Sequence, residues 1–126
     1  MRQTLEQWLD YIGGLHPITW DLTLDRVSEV ALRLGVVKPA RQVVLVAGTN
    51  GKGETAHFLN DLLLREGLSC ALWTSPHVLS VTERFKFAGE NIKHDELLEL
   101  FREVANKNLD LSFYEFLFFC FCQRVV

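Results

Sequence analysis

Hydrophobic positions recur along the chain with a period that changes from segment to segment. Leu5, Trp8, Leu9 and Ile12 fall at helical spacing within Thr4 to Ile12, and Gly13-Gly14 ends the pattern. Leu24, Val27, Val30, Ala31 and Leu34 form a second helical stripe, stopped by Gly35. The run VVLVA, residues 43–47, is different: it is short, mostly β-branched and without polar alternation, which predicts a strand buried on both faces. A glycine-rich turn follows. From Lys52 to Glu66 the apolar positions Ala56, Leu59, Leu62 and Leu63 return to helical spacing, Gly67 closes the element, and Ser69 to Trp73 resumes as a strand. Strand, turn, helix and strand in that order predict a β-α-β unit with parallel strands. Beyond it, TSPHVLSVTERFKFAGENI reads as a long loop with a small hairpin about Ala88-Gly89. A polar amphipathic helix from Asp95 to about Asn106 comes next, and SFYEFLFFCFCQRVV is apolar nearly all round, which predicts a buried helix.

Composition narrows the class. The 126 residues, 48% hydrophobic, suit one soluble globular domain. Thirteen Lys and Arg against sixteen Asp and Glu give a net charge of −3, so no broad basic field exists for nucleic acid or an acidic membrane surface. Cys70, Cys120 and Cys122 are an odd number without framework spacing, and two of them sit in an aromatic run. Reduced thiols in a cytoplasmic protein are the expectation. The N-terminus lacks the apolar core of a signal peptide, and no uncharged apolar run approaches the roughly twenty residues that span a bilayer.

The candidate chemistry lies in Gly48-Thr49-Asn50-Gly51-Lys52-Gly53-Glu54-Thr55, between the predicted strand and helix. Glycines allow successive N–H groups to turn toward an anion, the helix adds its positive end and Lys52 adds a full charge. That combination suits a triphosphate. The strict pattern G-x-x-x-x-G-K-[ST] is broken twice, because Val46 stands at its first glycine and Gly53 follows the lysine. A solvated lysine on a structural turn is the competing interpretation.

VAGTNGKG, TSPH at 74–77 and TERFKFAGENI at 82–92, together with LHPITWDLTLDRVSEVALRLG upstream and LSFYEF downstream, resemble the N-terminal part of the bifunctional dihydrofolate synthase and folylpolyglutamate synthase family of the Mur ligase superfamily. The resemblance runs over nearly the whole chain. It implies an α/β fold, a P-loop nucleotide-binding three-layer parallel sheet with flanking helices, of which residues 1–126 would be an incomplete N-terminal portion. It implies ATP-dependent ligation of L-glutamate to dihydropteroate or folate through an acyl phosphate, with ATP and Mg²⁺ as cofactors. Position by position, it implies that Thr49, Asn50, Gly51, Lys52 and Gly53 hold the ATP phosphates and that Lys52 neutralises charge during transfer. Ser75 would ligate Mg²⁺, as a hard oxygen donor. Gly14, Leu15, His16 and Pro17 would touch the pterin, as would Ser112, Phe113, Tyr114 and Glu115. Glu115 could accept hydrogen bonds from pterin N–H groups, or it could be a carboxylate in a buried helix paired with an arginine. Both readings stand. His77, Glu83 and Arg84 match the family near Ser75, yet are equally read as a loop histidine and hairpin charges.

Two departures matter. Glu54 stands where the family usually has Ser or Thr, so a carboxylate shares a helix N-terminus with an expected anion. The family's next strand with its acidic metal ligand, a metal-binding histidine, a modified lysine and the glutamate-holding C-terminal domain have no counterpart in this sequence. The expectations that follow are a fragment inactive alone, or a non-catalytic nucleotide- or pterin-binding module. An uncovered sheet edge and a partly uncovered FLFFCFC helix would invite self-association.

Overall fold

The computed structural model describes residues 2–14 and 24–126. It divides into two compact units, Met1–Arg41 with His94–Val126, and Gln42–Lys93.

The first unit is helical. Helix α1 (Leu5–Gly13) opens on a capping box, in which Thr4 Oγ1 accepts from Gln7 N–H at 3.2 Å and Gln7 Oε1 accepts from Thr4 N–H at 3.2 Å. Helix α2 (Asp25–Leu34) ends at Gly35, whose φ of 71° is the left-handed C-cap that glycine enters without a Cβ penalty. Helices α4 (His94–Ala105) and α5 (Phe113–Val125) pack on each other, α1 packs on both, and α2 packs on α5. Their interior is aromatic: Trp8 lies 5.7 Å from Phe101, which lies 5.9 Å from Phe116. Each such tilted pair contributes on the order of 0.5–1.5 kcal/mol beyond the area it buries. The FLFFCFC stretch expected to be partly uncovered is therefore inside, with Phe116, Leu117, Phe119, Cys120 and Cys122 buried. Its cover comes from three helices whose apolar stripes were legible but whose partner was not.

The second unit carries helix α3 (Lys52–Arg65) and strands β1 (Ala71–Trp73), β2 (Phe85–Phe87) and β3 (Glu90–Asn91). The strands form one antiparallel sheet in the order β1-β2-β3, with Leu72 opposite Lys86 and Lys86 opposite Asn91. The hairpin turn falls where expected. Ala88 and Gly89 have φ of 53° and 84°, the paired left-handed conformation of a tight two-residue turn. A Cβ on Gly89 would also meet Leu64 Cδ1 at 3.1 Å.

The parallel β-α-β unit and three-layer parallel sheet are corrected here, for the described residues. Residues 43–47 are not in a strand, and Val43, Val44 and Leu45 are 69%, 64% and 88% exposed. A strand exists only through a ladder; the expected neighbour β1 pairs antiparallel with β2 along one edge, and no ladder joins residues 43–47 to its other edge. Helix α3 shares the exposure: Asn60 is its one buried residue, and Phe58 and Leu62 face solvent. Helices and a sheet are both present, the three strands falling together between α3 and α4. Among the described residues no helix is long and apolar enough to cross a membrane.

Candidate nucleotide and substrate site

Residues 49–53 enter helix α3 directly. Gly51 is its N-cap, with φ of 73°, and no side chain caps it. A side chain at Gly51 would meet nothing within 4 Å, so the glycine is required by backbone conformation and not by space. Thr55 Oγ1 donates back to Gly51 O at 2.8 Å, and Thr55 N–H to the same oxygen at 3.0 Å, closing the first turn. The first-turn N–H groups thus have no side-chain acceptor, and they add to the positive end of the helix dipole. Thr49, Asn50 and Lys52 are exposed around them, and Gly53 is half-buried. Glu54 lies in the same turn and is exposed.

On the same unit, residues 74–84 leave β1 as a loop and return through a 3₁₀ turn at Val81–Arg84. Ser75 is exposed, with a cis peptide bond to Pro76. Glu83 organises the loop. Its Oε1 accepts from Val78 N–H at 2.9 Å, and its Oε2 accepts from Leu79 and Ser80 N–H at 2.8 and 2.7 Å. Those backbone donors, Val78 first and then Ser80 and Leu79, hold the Glu83 carboxyl below its ordinary 4.5. The neighbouring Arg84 is buried, 8% exposed, and donates through Nε to His77 Nδ1 at 2.9 Å. His77 is therefore an acceptor at Nδ1, which leaves Nε2 as its N–H.

Ser112, Phe113, Tyr114 and Glu115 form the start of α5 in the helical unit. Ser112 Oγ accepts from Glu115 N–H at 3.3 Å as the N-cap. Tyr114 is 49% exposed and stacks nearly parallel on Phe118, one turn along, at 6.5 Å. Glu115 Oε1 accepts from Arg26 Nη2 at 2.5 Å, and Arg26 also approaches Asp110 at 3.9 Å. The arginine pairing raised as one reading of Glu115 is thus formed, while its Oε2 is buried without a hydrogen-bond partner. Gly14 follows α1 as its exposed C-cap. Leu15, His16 and Pro17 lie outside the described residues.

The cysteines stay apart from this chemistry. Burial pushes the Cys120 thiol well up and the Cys122 thiol up to about 11, which keeps both protonated and unreactive. The sequence marks Glu83 only as a family match or a hairpin charge, and it does not single out Arg26 at all. Glu83 had a signal, the S-x-x-E spacing of Ser80 to Glu83 that marks a capping box. Arg26 had none, because its partner is 89 residues away.

No family model matches the chain. Among curated proteins it is 41% identical over 114 residues to the dihydrofolate synthase/folylpolyglutamate synthase of Escherichia coli K12, covering 89% of this chain and 27% of that protein. It is 39% identical over 115 residues to the protein of the same name from Buchnera aphidicola subsp. Baizongia pistaciae, covering 91% and 27%. The chain thus spans about a quarter of the length of these relatives. Among solved structures it superposes on E. coli FolC in complex with DHPP and ADP with a TM-score of 0.88 and 37% identity, over 98% of this chain and 30% of that one. It superposes on the bifunctional folylpolyglutamate synthase/dihydrofolate synthase from Yersinia pestis, complexed with AMPPNP and Mn ion, with a TM-score of 0.91 and 36% identity, over 98% and 30%.

Proposed function

Because the chain belongs to the dihydrofolate synthase/folylpolyglutamate synthase family, along a span that matches the N-terminal part of its longer members, we propose that it supplies the ATP-holding portion of a ligase joining L-glutamate to dihydropteroate or folate. One observation carries the proposal: the N-terminus of α3 offers first-turn amides with no side-chain cap, beside an exposed Lys52. In this reading Thr49, Asn50, Gly51 and Gly53 surround the phosphates, and Lys52 neutralises charge between the outer two. The acceptor carboxylate attacks the γ-phosphorus, ADP leaves, and the amine of glutamate displaces phosphate from the acyl phosphate. Positioning and charge neutralisation do most of the work.

Ser75 fits Mg²⁺ as one hard oxygen ligand. Among the described residues no group of three His, Cys, Asp or Glu could hold a metal, so Ser75 would supply one oxygen and the ion would draw its other ligands from the nucleotide and water, as magnesium commonly does. Gly14, Leu15, His16 and Pro17, with Ser112, Phe113, Tyr114 and Glu115, form the proposed pterin contacts. The exposed Tyr114 ring suits a flat heterocycle, and the Glu115 carboxylate suits its N–H donors. A net charge of −3 favours neither nucleic acid nor membrane as partner, and we place the protein in the cytoplasm.

Calorimetry with Mg²⁺ and AMPPNP tests the nucleotide site. Lys52→Ala is expected to weaken binding about 10- to 100-fold, the scale of one charge-assisted hydrogen bond at ~1.5–3 kcal/mol. Equal affinity of Lys52→Ala and the parent chain would refute the role of Lys52. A second reading, a binding module without turnover, draws on the unpaired, exposed run at 43–47. ATP hydrolysis that requires both dihydropteroate and glutamate would exclude it.

A further inference from the structure

The loop between β1 and the 3₁₀ turn has no regular secondary structure, yet its backbone donors are taken up in a definite order. Three consecutive N–H groups, of Val78, Leu79 and Ser80, converge on the single carboxylate of Glu83 at 2.7–2.9 Å. Turning those amides inward leaves the side chains of Val78 and Leu79 85% and 92% exposed, an arrangement apolar residues would not choose unless the backbone were held. One residue on, Arg84 reaches back to His77 at 2.9 Å. Two adjacent charged side chains therefore fix successive parts of one loop, and Ser75 lies near the start of that loop.

We propose that Glu83 is a positioning residue for the nucleotide–metal site, setting where the Ser75 hydroxyl is presented by gathering the backbone of 78–80. The inference rests on the reading of Ser75 as a metal ligand. Glu83 touches neither metal nor nucleotide in this scheme; its effect reaches them through the Ser75-Pro76-His77 backbone, as a partner outside the coordination shell that orients a ligand within it. A neutral amide in its place keeps the shape but offers one oxygen instead of two, so at most part of the three-donor cluster survives.

The test uses Mn²⁺ as the probe, followed by electron paramagnetic resonance in the presence of AMPPNP, and AMPPNP alone with chelator, followed by calorimetry. Glu83→Gln is expected to weaken Mn²⁺ binding about tenfold, the low end for loss of such an orienting partner. AMPPNP affinity without metal should stay within about twofold, since α3 is untouched. Hydrogen exchange at the amides of 78–80 should rise in parallel. Should Glu83→Gln fail to fold, Glu83→Asp keeps the charge one methylene short and makes the same comparison at smaller amplitude. Faster exchange with unchanged Mn²⁺ affinity would overturn the inference, because the carboxylate would then be only a loop brace. Ser75→Ala separates the two layers: if it weakens Mn²⁺ binding and Glu83→Gln does not, only the role of Glu83 falls. If Ser75→Ala leaves Mn²⁺ binding intact, the metal-ligand reading falls and this inference with it.

Discussion

The segment 116–122 on α5 and the run 43–47 ahead of the glycine turn both lack a charged residue, and they come to opposite environments. The first places Phe116, Leu117 and Cys120 at 2% exposure or less, while the second leaves Leu45 88% exposed. Hydrophobicity supplies the same drive in each. What differs is the availability of a partner: α5 meets the apolar stripes of α1, α2 and α4, whereas an extended run needs a neighbouring strand before its side chains can be covered. The helical unit covers its α5 aromatics with its own helices, whereas the unit bearing the glycine turn is held by particular polar contacts more than by a large core. In that second unit Phe85 against Trp73, with ring centroids 5.3 Å apart, and the carboxylate of Glu83 do much of the organising.

The largest expected effect sharpens this contrast. Phe101→Ala empties a fully buried site between Trp8 and Phe116 and should cost about 3–5 kcal/mol in urea unfolding. A loss below about 1 kcal/mol would break the view of the helical unit as the tightly packed one. Glu54→Ser, in the first turn of α3, should tighten AMPPNP binding several-fold at low salt, because a unit repulsion at about 4 Å is worth on the order of 1 kcal/mol in water. Its exposure keeps the effect near that lower limit and makes it shrink as salt rises. Unchanged or weaker affinity would mean that the carboxylate does not oppose the anion.

A third measurement concerns acid. The folded Glu83 carboxyl sits below its ordinary 4.5, so its contribution is fully present above that value and is lost as pH falls through the lower folded value. Hydrogen exchange at 78–80, corrected for intrinsic rates, should therefore rise as pH falls below 4.5 through the lowered folded value, while the buried core of the helical unit keeps its protection. Uniform loss of protection in both units would argue against a local polar anchor. The smallest effect is expected of Leu45→Lys. Removing a leucine that is already solvated should shift stability by no more than about 0.5 kcal/mol, with light scattering falling if the exposed run mediates self-association. A larger loss of stability would show that residues 43–47 are covered in solution.

Local signals carried much of the architecture. The spacing of Leu5, Trp8 and Ile12 ended by Gly13-Gly14, the stripe ended by Gly35, and the Ala88-Gly89 turn all appear close to where the pattern puts them, because propensity, capping and turn geometry act within a few residues. The 3₁₀ turn at Val81–Arg84 falls inside the segment that the pattern predicts as loop, although the Ser80 to Glu83 spacing announces it. At the candidate site, the glycine turn and its lysine were visible as a contiguous string. The Arg26–Glu115 pair was not, since no local rule joins residues 89 positions apart.

By itself, then, the sequence determined which segments are helical, where the chain turns, which side chains are apolar, and the family to which the span belongs. Only the tertiary structure decided that β1 pairs antiparallel with β2, that the α5 aromatics are covered, and that the VVLVA run stays in solvent. The reason is the same in each case: secondary structure and turns are set by neighbours along the chain, whereas burial and strand pairing are set by whichever distant surface is present to complete them.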